Sequence, residues 1–408
     1  MNPKLRLPLL ILLLSLTLST GLSQQTTPAR STDTAPVSIP FELVTRHIML
    51  KITVKNSRPL SFVFDTGDKV GIIDIDRAKE LGLNLQGQVG VGGAGAGRLS
   101  GARVQDAKWS IVGFENFSQP LSLAIPLGNI AARFGHDIDG IIGSDFIRQF
   151  VVEIDYETRQ LKLHDKSKFK YNGAGESIPI ELNQQGFPII EGEVTPTGSK
   201  PIRASFVLDL GSGGALALHS PFVNEHQLLN EKSKSIRAIG VGGSGGQSTG
   251  RFGRVAELKI GSFKISNPST FFSEDKSGAF ATTALAGNIG QRIAAKFRLF
   301  LDYENKRIIF EPTKSFSEPL ERAHSGIAFR AEDKDYRTFR ITEVLENSPA
   351  TEAGLQKDDL ILKVDDKSNT DLTLTKLQEL FEQAKAYKLT IRRGDQTLHV
   401  TLSPRKMV

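Results

Sequence analysis

Two short acidic motifs contain the residues best suited to chemistry. Asp65, in Asp65-Thr66-Gly67, follows the apolar run 62–64, and Asp209, in Asp209-Leu210-Gly211, follows the run 206–208. Two carboxylates held a few ångströms apart share a proton, because the charge of one opposes ionisation of the other. One of them can then activate water while the other protonates a developing oxyanion or amine. The two motifs therefore indicate hydrolysis by a pair of acids.

The two motifs occupy the same place in an internal repeat. Asp209 lies 144 positions after Asp65, and other segments recur at a similar spacing. The recurring pairs are 89–93 with 239–243, 139–143 with 286–290, and 150–159 with 297–306. A period of this length indicates duplicated domains rather than a solenoid. The repeat predicts that each copy supplies one acid to a shared site.

Each copy is expected to consist mainly of β-strands. The apolar runs before the two aspartates predict buried strands that end at the acid, with short helices near 76–81 and 221–230. Gly67 and Gly211, after the acids, permit a close backbone approach, so that N–H groups can bind the carboxylates.

A third segment, 324–404, has a different pattern. Ser348 and Pro349 predict the start of a short helix that Gly354 ends, and a second helix is expected near 374–386. A strand at 359–364 and a C-terminal hairpin complete a small, separate α+β module.

The N-terminus has the features of a secretory signal. Lys4 and Arg6 precede an apolar stretch at 7–18, which predicts a signal peptide at 1–23 and a polar tether at 24–38. No membrane span is expected after the signal is removed, and an uncleaved anchor is the alternative. The 408 residues contain no cysteine, which excludes disulfides and thiol nucleophiles. A bacterial periplasmic or secreted protein fits these features best.

Other classes of function find little support. The net charge of +6 is spread along the chain without a basic block, so no nucleic-acid partner is expected. No glycine run leads into Lys-Ser or Lys-Thr, and no histidine cluster has ligand spacing, so no cofactor and no metal are predicted. Residues 242–246 fit Gly-x-Ser-x-Gly, but they lack the strand-to-helix setting of a nucleophilic serine, and the first repeat has Ala94 there.

Residues 39–312 resemble the retropepsin/pepsin-type aspartic proteases, in a single-chain, two-repeat bacterial form. The resemblance implies a mostly β fold: two tandem retropepsin-like acid-protease lobes, 39–170 and 171–316, that form a pseudo-two-fold bilobal unit, followed by the small α+β domain. It implies that Asp65 and Asp209 are catalytic. The active-site loop and flap residues that it implies are Thr66, Gly67, Leu210 and Gly211 for the loops, and Gly92, Gly93, Gly242 and Gly243 for the flaps.

Three residues depart from the pattern of that family. Leu210 replaces a hydroxyl residue of the second tripeptide, so that repeat cannot supply its half of the interlocking hydrogen bonds. Asp68 puts a third carboxylate beside the site, where a small residue is usual. Asn288 replaces an apolar residue in the segment that crosses the second acid loop.

Residues 322–404 resemble a PDZ domain of the kind found in bacterial proteases. The family captures peptide C-termini in a backbone nest beside a sheet edge. The loop implied here is Gly326-Ile327-Ala328-Phe329, in which Ala328 departs from the usual glycine. The alternative is a packing module that positions the protease lobes.

Together, the motifs predict an exported aspartic endopeptidase that acts on peptides or unfolded proteins, with a PDZ-like module for protein C-termini or for regulation. The alternative is a catalytically inactive peptide-binding protein that retains the fold. Because the duplication supplies the second half of the site, a monomer is sufficient.

Overall fold

The computed structural model describes residues 35–230, 233–238, 241–320 and 322–408. The predicted signal peptide and residues 24–34 of the predicted tether lie outside the described residues. The end of the tether is corrected, because strand β1 already begins at Val37 and pairs with residues 160–163. In the described part of the chain, no helix is long and apolar enough to cross a membrane.

The first repeat forms lobe 1, which is mainly β. Its strands are β1 (Val37–Pro40), β2 (Glu42–Val44), β3 (His47–Val54), β4 (Leu60–Phe64), β5 (Ile72–Asp74), β6 (Asn84–Val91), β7 (Leu99–Gln105), β8 (Lys108–Ile111), β9 (Phe114–Pro120), β10 (Leu123–Ile125), β11 (Gly140–Ile142), β12 (Val151–Asp155) and β13 (Gln160–His164). Its helices are α1 (Ile75–Glu80), α2 (Gly128–Phe134) and α3 (Ser144–Ile147).

The second repeat forms lobe 2. Its strands are β14 (Glu176–Leu182), β15 (Pro188–Thr195), β16 (Ile202–Leu208), β17 (Leu216–Leu218), β18 (Ile236–Arg237), β19 (Gly242–Gly243), β20 (Gly246–Gln247), β21 (Gly250–Arg254), β22 (Glu257–Ile260), β23 (Phe263–Ser266), β24 (Ser269–Ser273), β25 (Gly287–Ile289), β26 (Phe297–Asp302) and β27 (Arg307–Pro312). The helices are α4 (Ser220–Glu225) and α5 (Gln291–Ala294), with a 3₁₀ turn at Ala279–Ala281.

The C-terminal module has its own sheet and its own apolar core. Its elements are β28 (Ile327–Glu332), β29 (Thr338–Val344), α6 (Pro349–Glu352), β30 (Leu360–Val364), β31 (Lys367–Ser368), a 3₁₀ turn (Asn369–Asp371), α7 (Leu374–Phe381), β32 (Tyr387–Arg393) and β33 (Gln396–Leu402). Ser348 caps α6 by accepting a hydrogen bond from Thr351 N at 3.3 Å, as its position before Pro349 predicts. Helix α7 is shorter than predicted, because the chain turns at Glu382 and re-enters the sheet at Tyr387.

The two repeats have the same strand register around the acids. In lobe 1, β11 is parallel to β4, and Ile142 pairs with Phe64. In lobe 2, β25 is parallel to β16, and Ile289 pairs with Leu208. In each lobe this later strand, β11 or β25, is inserted between the strand before the acid and the strand after the acid loop, and it is antiparallel to the latter, β5 or β17. The duplication seen in the sequence is therefore a duplication of topology.

A shared sheet joins the lobes. The strands β1, β13 and β12 of lobe 1 continue into β26, β27 and β14 of lobe 2, with Val152 opposite Leu301 at the junction. This junction is formed by the repeated segments 150–159 and 297–306. One apolar core extends through both lobes, so the two acid loops are held on a common support.

Candidate active site

Asp65 and Asp209 lie just beyond the ends of equivalent strands. The Asp65 N–H donates to Ile142 O at 3.0 Å, and the Asp209 N–H donates to Ile289 O at 2.9 Å. Each acid is thus fixed at its backbone by the inserted strand of its own lobe. The structure brings together the two aspartates that the sequence pairs.

The two carboxyl groups contact each other and the glycines of both loops. The Asp65 carboxyl lies against Gly211 of the second loop, and the Asp209 carboxyl lies against Gly67 of the first. Gly67 N donates to Asp65 Oδ1 at 2.6 Å, and Gly211 N donates to Asp209 Oδ1 at 3.0 Å. A Cβ at Gly211 would collide with the Asp65 carboxyl, and one at Gly67 would lie 2.9 Å from Asp209 Oδ1. Both positions therefore require glycine for close approach.

Burial and mutual repulsion change the ionisation of the pair. Burial, the charge of Asp209 and the charge of Asp68 hold the pKa of Asp65 well above its usual range. Burial also raises the pKa of Asp209, against hydrogen bonds from Asn288 and from the Gly211 and Ser212 amides. Two neighbouring acids whose pKa values are both raised can hold one proton between them.

Only one half of the interlocking hydrogen bonds between the loops exists. Thr66 Oγ1 donates to Leu208 O at 2.5 Å and accepts from Leu210 N at 2.9 Å. Leu210 is fully buried and supplies no hydroxyl in return. Gln291, which the sequence did not indicate, also holds this loop. Its Nε2 donates to Leu210 O at 2.8 Å, and Tyr156 of lobe 1 donates to Gln291 Oε1 at 2.6 Å.

Asn288, which departs from the family pattern, forms hydrogen bonds beside the second acid. Its Nδ2 donates to Asp209 Oδ2 at 2.7 Å, and its Oδ1 lies 2.8 Å from His219 Nε2. The sequence marked Asn288 as a departure but gave no partner for it. His219 directly precedes α4, but its side chain is buried and makes no capping bond.

The glycine-rich segments of the two lobes meet. Gly97 N donates to Gly245 O at 2.7 Å, and Ser244 Oγ donates to Gly92 O at 3.1 Å. A Cβ at Gly93 would collide with the Ser244 hydroxyl. Gly242 and Gly243 form β19, the first strand of the lobe 2 hairpin. All four predicted flap residues therefore lie in two hairpin tips that pack on each other.

The loop implied to capture carboxylates begins β28 of the PDZ-like module. Gly326 has φ +82°, and Ile327 and Ala328 are buried. Together with Phe329, these residues line a cavity of about 560 Å³ that the lobe 2 hairpin and α2 also line. Neither Asp65 nor Asp209 lines this cavity.

Helix α2 of lobe 1 lies over the groove between β28 and α7. Its C-cap, Gly135, approaches Leu374 and Ala331 so closely that a Cβ there would collide with Leu374 and lie 3.4 Å from the Ala331 Cβ. One residue earlier, Phe134 stacks on His47 with ring centroids 4.2 Å apart. Arg133 Nη2 donates to Gly242 O of the flap at 2.9 Å. This helix thus contacts the C-terminal module and the lobe 2 hairpin at once.

Comparison with known proteins agrees with this arrangement. Residues 50–146 match the aspartyl protease family, and residues 340–393 match the PDZ domain family. The "Probable CtpA-like serine protease" of Staphylococcus haemolyticus is 33% identical over 99 residues, which are 24% of this chain and 20% of that protein. The chain therefore covers about a fifth of the length of that relative.

Among solved structures, an aspartic proteinase from Irpex lacteus aligns with 70% of this chain and 99% of its own, at 13% identity and a TM-score of 0.43. The family matches and the strand topology confirm the predicted fold class: an aspartyl-protease-like unit of the retropepsin type, followed by a PDZ domain. Both modules support a protease that binds peptide or protein substrates.

Proposed function

We propose that this chain is an exported aspartic-type endopeptidase whose dyad is Asp65 and Asp209. The observation that supports it best is the contact of the two carboxyl groups across the lobe junction, where Gly67 and Gly211 are in reach of both. A raised pKa at Asp65 keeps one proton on the pair at a pH where an ordinary carboxyl is ionised.

The chemistry follows from one ionised and one protonated acid. The carboxylate takes a proton from water while the water oxygen bonds to the peptide carbonyl carbon, and the other acid gives its proton to the carbonyl oxygen. When the tetrahedral diol collapses, the C–N bond breaks and the first acid gives its proton to the leaving amine. The second acid recovers a proton from the diol hydroxyl, which regenerates the dyad.

The other parts of the proposal rest on separate features. Export to the periplasm or medium rests on the apolar segment at 7–18 behind Lys4 and Arg6. Binding of protein C-termini rests on the PDZ match and on the loop 326–329, which opens on the cavity beside α2.

A serine mechanism, which the name of the bacterial relative mentions, has less support in this chain. Ser244, the serine of the Gly-x-Ser-x-Gly segment, donates to Gly92 O within the packed flap tips. Among the described residues, no hydrogen bond joins a serine to a histidine. An inactive peptide-binding protein is the second candidate, and the specific observation in its favour is the missing hydroxyl at Leu210.

The test is cleavage of an unstructured polypeptide by the mature protein across a pH series. Asp65→Asn and Asp209→Asn should each reduce the rate by at least about a thousandfold, because each removes one proton carrier of the dyad. Asp76→Asn, at an exposed carboxylate on α1, is the matched control and should retain the activity. Equal cleavage by all four proteins would contradict the proposal, and no cleavage by any of them would favour the binding protein.

A further inference from the structure

Two polar residues in lobe 2 replace residues of different chemistry at the equivalent places in lobe 1. Asn288 in β25 takes the place of Ile141 in β11, since both are the central residues of the inserted strands. His219 takes the place of Asp74. Asp74 ends β5 and directly precedes α1, whereas His219 directly follows β17 and directly precedes α4. Asp74 caps its helix, whereas His219 makes no capping bond and instead contacts Asn288.

The Asn288 amide lies between Asp209 and His219. Its nitrogen faces Asp209 Oδ2 at 2.7 Å, and its oxygen faces His219 Nε2 at 2.8 Å. His219 must then carry a proton on Nε2. It is 2% exposed, and burial lowers its pKa, so it acts as a neutral donor. The chain of donors runs from His219 through Asn288 to Asp209.

Among the described residues, no comparable series of side-chain donors leads to Asp65. The residue at the equivalent place is Ile141, which has no side-chain donor, and among the described residues the donors to Asp65 are the backbone amides of Gly67 and Gly211. A hydrogen bond from a neutral amide to a carboxylate favours its charged form. We propose that the His219–Asn288 pair fixes Asp209 as the ionised member of the dyad and leaves the shared proton on Asp65.

The charges around the dyad act in the same direction. Asp68, on the first acid loop, raises the pKa of Asp65 by repulsion. Other titratable groups near the pair include Asp145 behind Asp68, Tyr303 near Asp65 with Arg148 beside it, and His47, whose ring lies beside Gly213 of the second acid loop. Burial holds His47 neutral, with its pKa lowered to about 4, so it adds no positive charge beside Asp209 at neutral pH.

The roles that follow rest on the proposed function: Asp209 would accept the proton of water, and Asp65 would donate to the carbonyl oxygen. His219 and Asn288 are then positioning residues, since neither touches the substrate atoms in this scheme. The order of ionisation itself does not depend on catalysis and can be measured in a protein that cleaves nothing.

The experiment is a titration of carboxyl ¹³C resonances in the full mature protein labelled at aspartate. Asp65→Asn and Asp209→Asn assign the two signals. Asp209 should ionise at lower pH than Asp65. Asn288→Ile, which installs the residue of lobe 1, should raise the Asp209 midpoint by about one pH unit, because it removes a donor to the charged form. His219→Ala should raise the midpoint by less, and His219→Gln, whose amide can donate to Asn288, should restore it.

Ionisation of Asp65 before Asp209, or an unchanged Asp209 midpoint in folded Asn288→Ile, would overturn the inference. If Asn288→Ile does not fold, the His219→Ala and His219→Gln pair decides, since a purely structural histidine would move no midpoint. The cleavage assay is run in parallel. If the proposed function is wrong, the protein cleaves nothing but Asp209 still ionises before Asp65. If this inference is wrong, the protein cleaves the polypeptide but Asp65 ionises before Asp209.

Discussion

Asp68 adds a third carboxyl group to the electrostatics of the first acid loop, after the charge of Asp209. It is half-buried beside the dyad, and burial raises its pKa to about 7, with further repulsion from Asp145 and Asp209. Its Oδ1 accepts from Lys69 N at 2.9 Å, which only partly offsets the cost of burying the charge. At neutral pH the group is therefore close to the point where it changes charge.

We expect Asp68→Ser to shift the alkaline limb of the kcat/KM profile to lower pH by about one unit, because the variant removes a negative charge that favours protonated Asp65. The measurement is the pH dependence of polypeptide cleavage. Asp76→Ser, which removes an exposed carboxylate from α1, should leave the limb in place. An alkaline limb that does not move in Asp68→Ser would show that Asp68 is not coupled to the dyad.

The same variant has a second, independent readout in stability. The folded-state pKa of Asp68, about 7, lies above the usual 3.8, so the folded protein binds more protons between these values than the unfolded chain. Stability from this group is present at pH 4 and is lost as the pH rises through 7. Denaturant unfolding should therefore show Asp68→Ser gaining stability relative to the parent between pH 4 and pH 8.

At the scale of elements, α2 connects parts of the protein that the sequence treats separately. Its last turn carries Arg133 to the flap and Phe134 to His47, and Gly135 closes the helix with φ +61° against α7. Gly82 ends α1 with a similar φ of +57°, but nothing lies within 4 Å of a Cβ there. Both glycines therefore have a left-handed conformation, but of the two only Gly135 contacts the PDZ domain.

This pair of glycines allows the contact to be measured. Gly82→Ala should cost about 1 kcal/mol, the penalty of a left-handed conformation for a residue with a Cβ. Gly135→Ala should cost the same plus roughly 1–3 kcal/mol, because its Cβ collides with Leu374. Gly135→Ala should also bind C-terminal peptides more tightly than the parent, since it weakens the contact that covers the groove between β28 and α7.

Chemical denaturation gives the first comparison, and fluorescence titration with peptides that have free or amidated C-termini gives the second. Equal losses of stability in the two variants would contradict a tight contact between α2 and the module. Affinity that does not depend on the free carboxylate would argue against capture by the loop 326–329.

At the scale of the whole molecule, Glu382 joins three regions of the chain. It lies at the C-terminal end of α7 and pairs with Arg46 of lobe 1 at 2.5 Å, Arg292 of lobe 2 at 3.0 Å and Arg322 of the connection at 2.9 Å. Burial opposes its charge, but the three arginines outweigh burial and lower its pKa to about 2. This cluster holds the PDZ domain on both lobes.

We expect Glu382→Gln to destabilise the protein at neutral pH, on the order of 3 kcal/mol, because it leaves three partly buried cations without their anion. The pKa of Glu382 is depressed from the usual 4.5 to about 2, so its stabilising effect is complete above about pH 4.5 and is lost as the pH falls toward 2. The difference in unfolding free energy between parent and variant should shrink over that range.

Glu379→Gln is the matched control, because it removes an exposed carboxylate of the same helix whose partner is Lys376. That variant should change stability by less than about 0.5 kcal/mol. A Glu382→Gln effect that is small or independent of pH would show that the cluster does not hold the module on the lobes.

The sequence by itself determined the repeat, the two acids and the separate C-terminal module. These features depend on local patterns that are visible in the linear sequence: an apolar run ending at an acid, a glycine that follows it, and a fixed spacing between copies. The same signals placed α1 and the start of α6 to within one residue. They gave the wrong start for β1, because the polar, proline-containing segment predicted as a tether ends in residues that pair with β13.

Tertiary structure alone decided how the second acid is supported. Leu210 and Asn288 looked like losses in the sequence, but Gln291 holds the Leu210 carbonyl and His219 orients Asn288 toward Asp209. It also decided the direction of the Asp68 effect and placed α2 over the PDZ groove. Each of these depends on side chains from distant segments meeting where water is excluded, and burial sets both their pKa values and the strength of their hydrogen bonds. No local pattern of residues contains that information.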